Sequence, residues 1–79
     1  MIYTQIHRRI VTAREKYGDF ASTHEALGVA IEEWDELRDA IRSNDMANIA
    51  SECLDLAAVL IRLADDITTK DEIVKRSSK

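Results

Sequence analysis

Residues 31–41 read IEEWDELRDAI, and residues 52–63 read ECLDLAAVLIRL. The first segment packs five carboxylates, Glu32, Glu33, Asp35, Glu36 and Asp39, into eight positions. The second sets Glu52 and Asp55 in a run that is otherwise almost wholly apolar. In both, apolar residues recur at three- and four-residue steps, which is helical periodicity. Solvation accounts for the acids of the first segment. It accounts poorly for those of the second, because a charge in an apolar setting needs a partner.

Working outward, the rest of the chain also reads as helix. There is no proline, there are two glycines, and strand-like alternation is scarce. Ile2, Ile6, Ile10, Ala13 and Tyr17 share one face of a first helix, and Gly18 is a natural stop. Ser22 followed by Glu25 has capping-box spacing, so a second helix should begin near residue 23. Its expected inner stripe is Leu27, Ala30 or Ile31, Trp34, Leu37 and Ile41. The run Arg42-Ser43-Asn44-Asp45 breaks the pattern and offers caps for a third helix over roughly 45–67. Thr69 and Glu72 repeat the capping spacing and predict a short last helix, with residues 76–79 frayed. Short connections between long helices predict an all-α, antiparallel helical bundle made of one domain, 1–79.

Seventy-nine residues bury little core. A chain of this size hides only about 60% of its unfolded surface, so a disulfide, a metal or association is expected to help. Cys53 is the sole cysteine, which removes the first remedy, and it reads as a buried reduced thiol. No Cys/His spacing suggests zinc. A net charge of −4 with a pI near 5 argues against a nucleic-acid partner bound through a basic face. The apolar run 53–64 is too short to span a bilayer and contains Arg62, and MIYTQIHRRI lacks the apolar stretch of a signal peptide. A soluble, cytoplasmic protein without a membrane partner is expected.

On a helical wheel, Asn48, Ser51, Glu52, Asp55, Val59, Arg62 and Asp66 fall within about 60° of Asp55. The remaining faces of the third helix are almost entirely apolar, so its polar stripe should face water at an edge or a shared polar cavity. On the second helix, Glu33 and Glu36 lie on one flank of Trp34 beside Ala26, Val29 and Ala40, small neighbours that permit close approach. Glu32, Asp35 and Asp39 lie on the other flank beside Arg38 and read as solvated. Two i, i+3 carboxylate pairs on adjacent helices suit a hard divalent cation, since converging carboxylates repel unless neutralised. A polar structural seam is the competing reading. Di-iron is disfavoured, because paired Glu-x-x-His motifs are absent.

EExxE, a gap of about fifteen residues, and ExxD on the next helix resemble the MazG-like all-α nucleoside triphosphate pyrophosphohydrolases. Residues 32–36 (EEWDE) and 52–55 (ECLD) stand in the expected order, and KYGDFASTHEALGVAIEEWDEL resembles the lead-in of small phage and mobile-element members. The likeness covers roughly residues 14–67. It implies a Mg²⁺-dependent enzyme, with Mn²⁺ substituting, that cleaves a (d)NTP to the monophosphate and pyrophosphate. Carried over by position, Glu33, Glu36, Glu52 and Asp55 match metal-binding carboxylates, and Glu32 matches a residue that orients or deprotonates the attacking water. The resemblance also implies a site completed in a homo-oligomer, dimer or tetramer. Many relatives carry an asparagine two turns after the ExxD aspartate, where this chain has Arg62. Arg62 is therefore either a phosphate contact or a salt-bridge partner of Asp55 or Asp66 in a silent relative.

Further candidates for substrate contact are His24, at the start of the second helix, and Lys70, which with Lys75 and Arg76 forms a basic patch. Trp34 reads as a core or interface anchor, Tyr17 and Phe20 as loop packing or a base pocket, and Arg8 and Arg9 as a solvated face. The alternatives to an enzyme are a non-catalytic oligomerisation or regulatory module and a nucleotide binder without turnover.

Overall fold

A computed structural model describes residues 1–69 as three helices: α1 (Ile2–Tyr17), α2 (Thr23–Ser43) and α3 (Met46–Thr68). The short helix expected after Thr69, the frayed residues 76–79 and the basic residues Lys70, Lys75 and Arg76 lie outside the described residues.

Each helix end is set by local chemistry. Gly18 ends α1 at φ 73°, ψ −161°, and its N–H donates to the Arg14 carbonyl at 2.9 Å. That region of backbone space is essentially glycine's alone. At the start of α2, the Glu25 N–H donates to Ser22 Oγ at 3.1 Å, while the Glu25 carboxylate accepts from the Ala21 N–H at 2.8 Å. The capping box is thus closed one residue upstream of its usual backbone donor. Asn44 turns the chain with a left-handed φ of 58°, which a short amide side chain tolerates, and Asp45 then caps α3 by accepting from the Asn48 N–H at 3.2 Å. A two-residue turn folds α2 and α3 back on each other as an antiparallel hairpin.

α3 is the central element. It packs on α2 along one side and on α1 along the other, whereas α1 and α2 do not pack together. α1 runs parallel to α3, with Arg9 beside Ser51 and Asp55, and Arg14 beside Asp65 and Asp66. The radius of gyration, 14.0 Å, exceeds the roughly 12 Å of a compact globule of this length. The three helices form an open trough with α3 as its floor.

The seams carry an unusual composition. α2 turns Ala26, Ala30, Glu33, Leu37 and Ala40 toward α3, a four-three repeat of mostly small residues with one acid in it. The answering positions of α3 are Glu52, Asp55, Val59, Arg62 and Asp66, a three-four repeat that is polar at every position but one. The polar stripe of α3 therefore faces inward, along the trough. Phe20, Ala26 and Val59 are the centre of a small apolar core, flanked by Val29, Ala30 and Leu63.

Three expectations are corrected. The inner stripe expected for α2 is largely outside: Leu27, Ile31, Trp34 and Ile41 are each about half exposed, and of that set only Leu37 is buried. The face that meets α3 is centred near Glu33, about 100° round from Trp34. Its small residues let the helices approach closely, and the larger apolar side chains are left on the outer surface. Cys53 is exposed rather than buried, because it lies on the side of α3 opposite the inward stripe. Arg9 is not part of a solvated face. It is half-buried against α3, held by the contacts described below.

Candidate metal and nucleotide site

The close approach of α2 and α3 brings Glu33, Glu36 and Glu52 together, each offering one carboxylate oxygen, with the three oxygens within 4.8 Å of one another. Ala26 and Ala40 are buried on the same face of α2, so no bulk separates that face from α3. Glu33 Oε2 and Glu52 Oε2 are buried and accept no hydrogen bond.

The electrostatic consequence is direct. Burial pushes the Glu33 carboxyl up to about 7, reinforced by the charge and closeness of Glu36 and by the charges of Asp55 and Glu52. Glu52 is raised for the same leading reason, burial, then by the closeness and charge of Glu36 and the charge of Asp55. Arg9 opposes that rise. A cluster of acids that resists ionisation is short of positive charge.

Asp55 lies one turn beyond Glu52 but outside that triplet. Its Oδ1 accepts from Arg9 Nε at 2.7 Å, and Arg9 Nη2 reaches Ser51 Oγ at 3.3 Å. Arg9 was the site residue least visible in the sequence. The available signal was its register: it stands three residues after Ile6 and four before Ala13, on the face of α1 that packs. Farther along α3, Arg14 is shared by three acids, Asp19 at 2.6 Å, Asp65 at 2.9 Å and Asp66 at 3.0 Å. These pairs pin the C-terminal end of α1, a helix with no fully buried residue.

Beside the triplet, the trough opens into a cavity of about 650 Å³, in the range of small-molecule sites. Glu32, Glu33 and Asp55 line one part of it, Arg9 and Arg62 supply positive charge, and Tyr17 and Phe20 supply aromatic surface. Arg62 is buried, as befits its inward register, yet makes neither salt bridge expected of it. Its Nη2 donates to the Gly18 carbonyl at 3.1 Å, its guanidinium lies 4.2 Å from the Phe20 ring centre, and its Nε has no partner. The acids that were expected to hold it are taken by Arg9 and Arg14 instead.

Of the remaining candidates, His24 is exposed in the first turn of α2 and does not line the cavity. Asp35 and Asp39 are exposed, with Asp35 paired to Arg38 at 3.0 Å, so this flank of α2 is solvated as expected. Lys70 lies outside the described residues. Among the described residues, no helix is long and apolar enough to cross a membrane.

An oxygen-only donor set from two helices fits a hard cation. Ligand oxygens about 2.1 Å from Mg²⁺ in an octahedron stand about 3 Å apart when adjacent and about 4.2 Å when opposite. The triplet's oxygens, within 4.8 Å of one another, are close to that spacing, and two of its carboxylates carry an unpartnered oxygen. Compared with protein-family models, with curated proteins and with solved structures, the chain matches none.

Proposed function

We propose that the chain is a Mg²⁺-dependent nucleoside triphosphate pyrophosphohydrolase of MazG-like type, releasing pyrophosphate from a (d)NTP in nucleotide-pool housecleaning. The observation that carries this reading is the convergence of Glu33, Glu36 and Glu52, two of them with a buried unpartnered oxygen, on the edge of a ligand-sized cavity. The spacing of EEWDE and ECLD, from which the resemblance was drawn, supports the same reading.

In this reading Glu33, Glu36 and Glu52 hold the cation, and Asp55 joins them as a fourth ligand when Arg9 lets it go. Bound there, Mg²⁺ would neutralise triphosphate charge and lower the pKa of a coordinated water. Glu32, exposed and lining the cavity beside Glu33, takes the role of orienting a water or accepting its proton in this reading. Arg62 offers guanidinium charge to the phosphates, and the Phe20 and Tyr17 rings offer an apolar wall to the remainder of the nucleotide. The exposed apolar stripe of α2 and the exposed Leu60 and Ile61 of α3 give a second copy a surface on which to complete the bundle.

The test is pyrophosphate release over a panel of ribo- and deoxynucleotides with Mg²⁺ or Mn²⁺, on a sample of measured oligomer mass. Turnover of at least one nucleotide, abolished by Glu36→Gln, is expected. An assembled, folded sample inert across the panel sinks the enzyme reading. One observation favours a second reading, a non-catalytic helical module: Arg9 already neutralises Asp55 from within the chain. For such a module, Mg²⁺ leaves the melting temperature unchanged.

A further inference from the structure

The positive charge nearest the acidic site comes from a helix that is only lightly attached. α1 has no fully buried residue and does not pack on α2. Its middle is fastened to α3 by a single arginine, Arg9, whose Nε donates to Asp55 Oδ1 at 2.7 Å and whose Nη2 donates to Ser51 Oγ at 3.3 Å. Asp55 is one helical turn from Glu52, and both Asp55 and Arg9 line the cavity that Glu33 also lines. A guanidinium thus occupies the acid whose charge acts on both Glu33 and Glu52, the fourth ligand of the reading above.

The two partners are not sealed away. The Arg9 side chain is 30% exposed and that of Asp55 38%. An ion pair with that access to water is screened and weak, and its partners exchange readily. The pair is strong enough to hold Asp55 in the absence of a cation and weak enough to be displaced by one.

We propose that Arg9 is a resident counter-cation which gives up Asp55 when a divalent cation loads the carboxylate site, and that the freed guanidinium then turns into the cavity to take a phosphate of the bound nucleotide. The proposal rests on the cation site proposed above and adds a coupling to it: α1 reports cation loading to the ligand cavity. Arg9 is suited to both states, because the fork that accepts a carboxylate also accepts a phosphate. Loading and ligand capture are then linked, since neither the cation alone nor the anion alone satisfies both Asp55 and Arg9.

The exchange is read directly from the arginine Nε–H resonances of the ¹⁵N-labelled wild-type chain during a Mg²⁺ titration. The Arg9 signal is assigned by its loss in Arg9→Lys, which keeps the charge but lacks the Nε–H. As Mg²⁺ saturates, the Arg9 resonance should move to the position of a free guanidinium. Arg14, whose three acids are none of the site's carboxylates, should stay in place. In parallel, Arg9→Gln should bind Mn²⁺ about two- to fivefold more tightly than wild type by calorimetry, the fold-change equivalent to releasing an exposed pair. Asp55→Asn in that background should erase the gain. An Arg9 resonance that stays put while the wild type binds Mg²⁺ overturns the exchange and leaves the cation site standing. Absence of Mn²⁺ binding in both wild type and Arg9→Gln removes the cation site itself, and the exchange with it.

Discussion

The guanidinium of Arg62 lies 4.2 Å from the centre of the Phe20 ring and donates to the carbonyl of Gly18 at 3.1 Å. One side chain of α3 thereby clamps both the end of α1 and the loop that leads into α2. Cation–π attraction of about 0.5–2 kcal/mol and a hydrogen bond of about 0.5–1.5 kcal/mol are set against an Nε that has no partner. Arg62→Met should therefore lose about 1–2 kcal/mol in urea unfolding. Arg62→Lys, which cannot hold the carbonyl and the ring together, should recover only part of that loss. A Met variant as stable as wild type would mean that the clamp contributes nothing.

Glu33 sets an unusual pH dependence. Its carboxyl keeps its proton to about 7 in the folded chain, against an ordinary value of 4.5, because it is buried among other acids. Between those values the folded state binds more protons than the unfolded one, so stability falls as pH rises through this window. Glu52 is shifted the same way and adds to the effect. In buffer with chelator, the melting temperature should drop from pH 5 to pH 8. Millimolar Mg²⁺ should restore it at pH 8 and do little at pH 5, where protons already relieve the repulsion. A melting temperature that climbs over this range would show that the carboxylates do not converge.

Glu33→Gln separates the site from the scaffold. Without a cation at pH 8 it should raise the melting temperature, because an amide removes a raised carboxylate and its repulsion with Glu36. The same change should abolish stabilisation by Mg²⁺ and reduce pyrophosphate release by about 100-fold or more, at least as much as loss of an outer-shell partner costs a metal site. Greater stability together with lost function marks a site whose acids are held for binding.

The two glycines should respond in opposite directions to the same substitution. Gly18 has φ 73° and ψ −161°, with open space where a Cβ would go, so Gly18→Ala is strained by its backbone alone. About 1–3 kcal/mol should be lost. Gly28 lies inside α2 with nothing within 4 Å of an added Cβ, and Gly28→Ala should add about 0.5–1 kcal/mol through helix propensity. Urea midpoints of the two variants on either side of wild type would bear this out, and a loss at Gly28 would place another surface against that position.

Local chemistry was legible in the sequence, and its tertiary placement was not. Ser22 with Glu25, Gly18, and Asn44 with Asp45 announced the helix ends, because a cap is a contact between residues three or four apart. Two wheels and a short turn predict facing pairs, Glu33 and Glu36 against Glu52 and Asp55, and these meet only in part: Glu52 joins Glu33 and Glu36, while Asp55 is held by Arg9. The inner face of α2 did not follow. Periodicity finds the apolar side of a helix, and here α3 packs on the side made of Ala26, Ala30 and Ala40, leaving Trp34 outside. Nor could any local pattern choose between the cations. Arg9 and Asp55 are 46 residues apart, and only the parallel course of α1 along α3 assigns Asp55 to Arg9 rather than to Arg62, which is on the same helix.

Trp34, Leu27, Ile31 and Ile41 give the last expectation. They follow one another at three-, four- and seven-residue steps along α2, each about half exposed, while among the described residues the buried core is built from little more than Phe20, Leu37, Val59 and a few alanines. Among the described residues, a stripe of large apolar side chains lies outside while Glu33, Glu52 and Asp55 are half-buried, an arrangement that a lone subunit supports poorly. Covering the stripe with a second copy would enclose α2 on both sides and leave the acidic trough as an internal site. The wild type should therefore sediment as a dimer or larger species, with a melting temperature that rises with protein concentration. Trp34→Glu, which sets a charge at the middle of the stripe, should shift it to monomer and lower its melting temperature. It should also weaken Mg²⁺ binding, since Glu33 is its immediate neighbour on α2. A wild type that stays monomeric up to high micromolar concentration, with its helical circular dichroism intact, would mean that the open trough is complete in one chain.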